Sequence, residues 1–386
     1  MLSRVADNLY WMSRYLERAE HGARLLAVHL NLVLDQEEET AALRRHRVLS
    51  ALYAPEDGDG ALSDAHMVQM VAFQLENANS IVNCIRAARE NARQVREQIN
   101  LEMWQELNQL YLYLRNINLV GKRDDGDVGF FEEVIERIQL FQGVTDATMN
   151  HGQGWQFIQI GRFLERALST AHLLAIEFDA LAQHVGGRTL ADEPTYLEWL
   201  GLLKACAAFE AYSKVYTFDL QPSHIAEFLL LNEEFPRSVN FSIISVQNAL
   251  NAVAEATETH KGTRVYRLSG RLRSSLEYAD IGEIMSSGFG DYLADVQRQC
   301  LAIHDAIYQV YVTYPVEEKL ASKTHRREPR RKSCASTFGG TYTGILPGFT
   351  RCPRLAGHAL HHLSSGALSI HRPRGRECHG GPGPAV

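Results

Sequence analysis

Apolar residues recur every three or four positions along most of the first 315 residues, and this spacing predicts helices. One stripe lines a first helix expected from about residue 3 to residue 35; it consists of Val5, Leu9, Met12, Leu16, Ala19, Ala23, Leu26 and Leu30. Trp11, Leu25 and Val28 fall on the opposite side of the same helix. A helix that is apolar nearly all round is usually buried. We therefore expect this helix, with its charged residues, to lie at least partly inside the core.

The same periodicity predicts further helices, and no run of residues alternates as a strand would. The expected segments are residues 40–53, 64–75, 80–118 with a break near Asn100, 130–149, 154–184, 195–217, 236–257 and 291–313, with further helix between the last two. Ser80 is a candidate N-cap, and Thr195 with Glu198 has the spacing of a capping box. Pro236 is expected in a first helical turn. The predicted fold class is all-α.

One six-residue motif occurs twice: Arg14-Tyr15-Leu16-Glu17-Arg18-Ala19 returns 148 residues later as Arg162-Phe163-Leu164-Glu165-Arg166-Ala167. At the same offset Ala23, Leu25, Leu26 and Ala27 match Ala171, Leu173, Leu174 and Ala175. A weaker match at an offset of 157 joins Val82-Asn83 and Asn91-Ala92 to Val239-Asn240 and Asn248-Ala249. The repeat predicts an internally duplicated helical bundle, with related halves at residues 1–150 and 151–315.

The charged residues of the motif are the first candidate site. Arg14 and Glu17 share a helix face, buried charges must be paired, and duplicated halves commonly pack about a pseudo-two-fold axis. We therefore expect one composite cluster where the halves meet, made of Arg14, Glu17, Arg18, Arg162, Glu165 and Arg166. In a functional interpretation the arginines bind a carboxylate or phosphate and a glutamate acts as base or acceptor. In a structural one, which we favour, a buried ion-pair network holds the halves in register.

A second candidate is an arginine stripe down one helix face, formed by Arg86, Arg89, Arg93 and Arg96. Glu90 and Glu97, each four residues after an arginine, can neutralise only part of this positive charge. We favour partners on a neighbouring helix; the alternatives are an anionic ligand or an acidic protein partner. Arg237, after Pro236 in the second half, makes a matched pair of binding sites conceivable.

Charge divides the chain into two parts. Residues 1–320 carry a net charge of −16 and residues 321–386 a net charge of +9. An acidic body argues against nucleic-acid binding. The last 66 residues also hold six of the 11 prolines and ten of the 28 glycines. This basic tail is expected to be disordered or a non-native terminus.

Several chemistries find no support. The sequence has no GxSxG elbow, phosphate-binding loop or HExxH motif. Cys84, Cys206 and Cys300 stand singly, and the cysteines and histidines of the tail lack regular ligand spacing, so neither metal nor cofactor is expected. Scattered cysteines are typical of reduced thiols in the cytoplasm. No signal peptide or membrane-spanning stretch is apparent.

Four motifs, in order along residues 1–315, identify a resemblance to the bacterial alpha-E domain family, an all-α domain with a Glu-Arg motif. They are residues 8–20, residues 88–97, Gly154-Trp155 with residues 161–167, and residues 235–239. Members of that family are typically encoded beside, or fused to, an ATP-grasp-type ligase and often a transglutaminase-like peptidase. The resemblance implies these partners and a role in making or processing a peptide or amide bond, but no catalytic residues.

Together these observations predict a non-catalytic accessory or scaffold protein for an ATP-grasp-type ligase, with an acidic or peptide substrate as a further ligand. The alternative is an enzyme in which Glu17 and Glu165 lie close together, so that one carboxyl group has a raised pKa. Depth discriminates between them: an open cleft favours a ligand or an enzyme, whereas burial between helices favours a structural cluster.

Overall fold

The computed structural model describes residues 3–34, 38–54, 63–120, 128–184, 193–257 and 263–312. These residues form thirteen α-helices and no strand. The helices are α1 Ser3–Val33, α2 Glu38–Ala51, α3 Asp64–Val68, α4 Ile81–Gln94, α5 Leu101–Val120, α6 Val128–Thr148, α7 Gln153–His184, α8 Glu193–Ala205, α9 Phe209–Tyr216, α10 Pro222–Leu231, α11 Val239–Thr257, α12 Arg264–Glu277 and α13 Ile281–Ile307. Short π-helical turns, Gln69–Phe73 and Tyr308–Val312, extend α3 and α13. The all-α prediction is confirmed.

The first helix is buried as predicted. Every residue of its apolar stripe is at most 8% exposed, and Trp11 and Leu25 on the opposite side are buried as well. Twenty of the 31 residues of α1 are buried, among them Arg14 and Glu17. Since apolar surface surrounds the helix, its charged side chains enter the core with it.

Some predicted boundaries were right and others were wrong. The segment expected over residues 80–118 starts at Ser80, whose hydroxyl accepts from the Asn83 amide, and it breaks before Leu101 as predicted, because α4 ends at Gln94 and α5 begins at Leu101. The helix expected over residues 195–217 is two helices, because Ala207 adopts a left-handed backbone with φ of 49°. Neither glycine nor proline marks that break in the sequence.

Pro236 lies before α11 rather than in its first turn. Ser238 occupies the cap position, where its hydroxyl accepts from the Phe241 amide at 3.0 Å. The preceding helix α10 was not predicted at all. It begins at Pro222, whose fixed φ suits a first helical position.

Two long helices, α1 and α7, pack directly against each other at the centre. At Gly161 of α7 the backbones come so close that an added Cβ would lie 2.3 Å from the Tyr10 carbonyl oxygen. Around this pair, α1 packs against α4, α6 and α8, and α7 packs against α11, α13 and α2. The central crossing therefore brings the two copies of the motif into one core.

The described helices all belong to the first of two units into which the chain divides, residues 1–327 and 328–386. The predictions made for the tail at residues 321–386 fall outside the described residues.

Candidate functional site

The two copies of the motif exchange their charges across the α1–α7 contact. Glu165 of α7 accepts from Arg14 at 2.6 Å and from Arg18 at 2.7 Å. Glu17 of α1 accepts from Arg166 at 2.6 and 2.8 Å. The motif residues thus pair between helices rather than along one helix. Arg166 binds Glu17 through two parallel hydrogen bonds, and charge-assisted bonds of this kind are roughly twice as strong as neutral ones.

A third carboxylate extends this cluster. Glu20, one turn after Glu17, is fully buried and accepts from Arg24 at 2.9 Å and also from Arg237. Arg237 additionally lies 3.6 Å from Glu17. The amide of Gln142 in α6 donates to Glu20 at 3.1 Å. Arg237, which the sequence placed at a separate site, therefore belongs to the same cluster.

We call this cluster the Glu–Arg network: Arg14, Glu17, Arg18, Glu20, Arg24, Glu165, Arg166 and Arg237. The paired motif side chains are at most 14% exposed. Backbone and amide groups complete it, because Arg166 donates to the Pro236 carbonyl oxygen and Arg18 to the Asn79 side chain, both at 3.0 Å. The paired side chains of the network are therefore buried between helices.

Electrostatics keep the carboxyl groups of Glu165 and Glu20 ionised. Burial alone would raise the pKa of Glu165, but the charges and hydrogen bonds of Arg14 and Arg18 outweigh burial and lower it to about 2. The pKa of Glu20 is likewise lowered to about 2 against the effect of burial, mainly by Arg237 and Arg24. A carboxylate with so low a pKa is a poor proton acceptor near neutral pH.

An aromatic group that the sequence did not reveal adjoins the network. The Tyr10 hydroxyl and the Nδ1 atom of His304 lie 2.7 Å apart, and the Arg14 guanidinium lies 3.1 Å from each. Burial, and then the charge of Arg14, lower the pKa of His304 to about 3. His304 is therefore neutral, with Nδ1 accepting. His304 lies 290 residues after Arg14 along the chain, so no local sequence pattern could predict this contact.

Arg162 was predicted to belong to this cluster, but it lies outside the Glu–Arg network. Its nearest acidic partner is Asp146 in α6, at 3.9 Å, and its buried Nε has no hydrogen-bond partner among the described residues. Burial and the charge of Arg166 lower the pKa of Arg162 to about 10. It lines a partly open pocket together with Ser13, Leu16, Phe141, Gln142, Thr145, Asp146, Ile158 and Gln159.

The arginine stripe lies elsewhere, and two of its arginines contact polar and aromatic side chains of α5. Arg89 donates to Asn108 of α5 at 2.8 Å and lies over the Tyr111 ring at 4.5 Å. Arg96, which lies beyond α4 in the short turn Arg96–Gln98, lies over the Trp104 ring. Aromatic rings thus stabilise the Arg89 and Arg96 cations through cation–π contacts, where carboxylates were expected. Only Arg86 and Arg93 are exposed, and Arg93 pairs with Glu90 at 2.7 Å.

A second buried ion cluster joins α2, α7 and α8. Arg44 lies 2.6 Å from Glu198, and Arg47 contacts both Glu198 and Glu177. Glu198 had been predicted to cap a helix at Thr195. Because α8 begins two residues earlier, at Glu193, the capping-box prediction was wrong.

Other catalytic groups find little support among the described residues. No group of three His, Cys, Asp or Glu side chains there could hold a metal ion. Cys84, Cys206 and Cys300 are buried, and burial raises the pKa of each thiol to about 12. A thiol with that pKa is not a nucleophile near neutral pH.

The described helices and the network define a class of protein, an all-helical protein whose two central helices are joined by buried Glu–Arg pairs. The sequence pattern of the Alpha-E family, described as a predicted alpha-helical domain with a conserved ER motif, matches residues 1–312. The chain belongs to the Alpha-E family.

Its curated relatives are longer proteins. Uncharacterized proteins of Mycobacterium bovis and Mycobacterium tuberculosis are 25% identical to it over 321 residues, covering 76% of this chain and 34% of each relative. A protein of a second Mycobacterium tuberculosis strain is 24% identical over the same shares. The chain spans about a third of the length of these relatives. No solved structure matches it. None of the described helices combines the length and apolar character that a membrane span requires.

Proposed function

We propose that this protein is a non-catalytic accessory or scaffold for an ATP-grasp-type ligation system, in which a transglutaminase-like protein can also take part. The observation that carries the non-catalytic part is the burial of Glu17 and Glu165 in ion pairs. A general acid or base must reach the substrate and exchange protons with it. These two glutamates instead satisfy neighbouring arginines.

The alternative enzyme requires Glu17 and Glu165 to share a site in which one carboxyl group has a raised pKa. The pKa of Glu165 is lowered, and each glutamate is matched by arginine from the other helix. The network has the properties of an element that holds two long helices in register. We therefore place the function in binding and assembly.

The length of the relatives supports a partnership. In the mycobacterial proteins the matching region makes up about a third of a longer chain. A domain found within a longer polypeptide commonly works with the rest of that polypeptide. The choice of an ATP-grasp-type ligase as the partner rests on the family resemblance.

We also infer that the two halves arose by duplication. The contact between Arg18 and Glu165 has a counterpart between Arg166 and Glu17, 148 residues away at each position. The surroundings correspond too, because α1 packs against α4, α6 and α8 while α7 packs against α11, α13 and α2. Two copies of one unit about a pseudo-two-fold axis account for this exchange.

A tagged full-length chain recovered from its native cell tests the scaffold proposal, with co-purifying proteins identified by mass spectrometry. We expect an ATP-grasp-type protein. The exposed pair Arg86 and Arg93 is the first surface to change, as R86E/R93E, since the other stripe arginines lie against aromatic rings. Loss of the ligase with this variant would locate the interface.

The matched control is Arg298→Glu. Arg298 pairs with Asp295 three residues away, as Arg93 pairs with Glu90, and the two arginine side chains are 56% and 57% exposed. The control variant should retain the partner. Recovery of the wild-type chain without any ligase would contradict the proposal.

A further inference from the structure

Helix α12 carries a line of arginines on its outer face. Arg264, Arg267 and Arg271 follow one another at intervals of three and four residues, so they share one side of the helix, and all three are exposed. The opposite side is buried and consists of Val265, Tyr266, Ser269, Leu272 and Leu276. The three arginines, which we call the α12 basic stripe, therefore form a surface about 10 Å long on the outside of the fold.

No described acidic side chain neutralises the α12 basic stripe. The side chains of Arg267 and Arg271 make no hydrogen bond or ion pair with a described residue. The Arg264 guanidinium donates to the neutral amide oxygen of Gln309 at 3.5 Å, which is a weak contact. Like charges at this spacing repel one another, so an acidic group from outside would stabilise them.

The arginine stripe of α4 provides a comparison within the same fold. Its members have the same spacing, but Arg89 lies over an aromatic ring and Arg93 pairs with Glu90 at 2.7 Å. In α12 the one acidic residue, Glu277, lies 3.8 Å from Arg273, which is not part of the stripe. The charges of the α12 basic stripe thus remain available to a partner.

An exposed aromatic ring lies at the end of the same face. Tyr278 comes seven residues after Arg271, about two helical turns further on, and it is 82% exposed. Arginine and tyrosine are enriched in protein–protein interfaces, where such side chains often supply much of the binding energy. The surface can therefore bind both carboxylates and an apolar side chain.

The length of the α12 basic stripe favours a short acidic segment as the partner. Duplex DNA carries one negative charge per ~1.7 Å, so it would extend well beyond a stripe of about 10 Å. It would then meet a body that carries a net charge of −16 over residues 1–320. An anionic membrane surface would face the same acidic body. A protein helix can place a few carboxylates opposite the arginines alone, which limits this repulsion.

We propose that the α12 basic stripe and Tyr278 form a docking surface for an acidic helix of a partner protein. Glutamates or aspartates at intervals of three and four residues pair with the arginines, because two helices have the same rise per residue. An apolar side chain beyond them packs on Tyr278. The inference goes beyond the proposed function, since it concerns a different surface and does not require the ligase.

Photo-crosslinking to the purified full-length chain at low ionic strength tests this surface, because salt screens exposed charges. The probe is an alanine-rich peptide of about 20 residues, long enough to be helical. It carries three glutamates at the spacing of the stripe, a leucine beyond them and a photoreactive side chain. One comparison peptide has the glutamates distributed around the helix, and another has glutamines in their place.

We expect the matched peptide to crosslink within residues 264–278, in higher yield than either comparison peptide. Mass spectrometry of the product locates the crosslink. The location is needed because residues 321–386 carry a net charge of +9 and also attract acidic peptides. Crosslinks confined to residues 321–386, or equal yields from the matched and the redistributed peptide, would overturn the proposal.

Charge reversal provides the second readout. R267E/R271E should lower the crosslinking yield at this site at least about tenfold, and Arg271→Glu alone should lower it by less. Arg115→Glu is the matched control for the single change, because Arg115 of α5 is likewise exposed and without a side-chain partner among the described residues. Wild-type yield is expected for that control, and wild-type yield for R267E/R271E would contradict the docking surface.

Two measurements distinguish other occupants of the same surface. Light scattering of the wild-type chain and of R267E/R271E detects a second copy, and an oligonucleotide competitor detects nucleic acid. We expect the same mass for both chains and little competition. A dimer that R267E/R271E dissociates, or full displacement of the peptide by the oligonucleotide, would overturn the proposed acidic helix. None of these outcomes depends on the ligase, so failure here leaves the scaffold proposal intact.

Discussion

Glutamate 165 shows at the scale of single residues why this core tolerates charge. Its two oxygens accept from Arg14 and Arg18, and its side chain is only 6% exposed. Removing one partner of a buried ion pair leaves the other charge buried without compensation. Removing one partner therefore lowers the free energy of unfolding by more than replacing the whole pair with apolar residues would.

Glu165→Gln is expected to lower the free energy of unfolding by about 3 to 5 kcal/mol, because two buried guanidinium groups lose their counter-charge. Glu17→Gln should do the same through Arg166. Urea unfolding followed by circular dichroism measures both. Wild-type stability in the two variants would refute the idea of a structural network.

Arg162→Gln provides the contrast within the same motif. Arg162 lacks a close acidic partner, so its replacement removes an under-compensated buried cation and should leave stability unchanged or higher. Glu90→Gln, at an exposed pair, serves as the surface control and should change stability by at most about 1 kcal/mol.

At the scale of helices, the crossing of α1 and α7 depends on Gly161. A Cβ there would lie 2.2 Å from the Ser13 hydroxyl and 2.3 Å from the Tyr10 carbonyl oxygen. The hydroxyl can rotate away, but the backbone oxygen cannot. The two helices must therefore separate, and with them the pairs of the Glu–Arg network.

Gly161→Ala is accordingly expected to destabilise the fold by roughly 3 kcal/mol or more. Gly143→Ala is the matched control, since Gly143 lies inside α6 and an added Cβ there has nothing within 4 Å. Alanine favours helix over glycine by about 1 kcal/mol, so the control should gain stability. Thermal melts of both variants provide the comparison, and equal effects would contradict a close helix crossing.

The helices also show what could be predicted from sequence. The apolar stripe of α1 and its burial could be predicted from the spacing of apolar residues, because a long helix that is apolar on all sides is usually buried in the core. The break at Ala207 did not, since a left-handed alanine is imposed by its surroundings and not by its own preference. Helix α10 was missed because its short apolar run has little periodicity to detect.

The candidate site was predictable only in part for a similar reason. The repeat identified the motif residues, and their composite cluster followed from the need to pair buried charges. Which arginine meets which glutamate depends on the helix crossing, so the separate position of Arg162 could not be read from its spacing. His304 enters through tertiary contacts, and Glu20 is tied to the cluster by Arg237, which lies 217 residues away along the chain.

At the scale of the whole molecule, stability should fall with acid in two stages. The pKa of His304 is lowered from 6.5 to about 3, and that of His21 is lowered, chiefly by burial, to about 4. The unfolded chain therefore binds these protons first, and stability declines as the pH falls below about 6.5. Glu165 and Glu20 contribute the second stage, fully present above about pH 5 and lost as the pH falls toward 2.

Urea unfolding at pH 7.5 and pH 5 measures the first stage. For His304 alone the expected loss at pH 5 is about 1 to 2 kcal/mol. His304→Asn keeps an acceptor for Tyr10 and Arg14 but cannot be protonated, so its loss over the same interval should be smaller by that amount. An unchanged pH dependence would contradict the neutral, accepting His304.

The exchanged ion pairs also bear on how the chain emerges from the ribosome. Arg14 and Arg18 of α1 pair with a glutamate that lies 151 and 147 residues later, so α1 cannot complete its charge pairing until α7 has been made. At ordinary rates of synthesis that interval is on the order of ten seconds. During that time α1 lacks the glutamate that pairs with Arg14 and Arg18, and its apolar surface is exposed to chaperones and to neighbouring nascent chains.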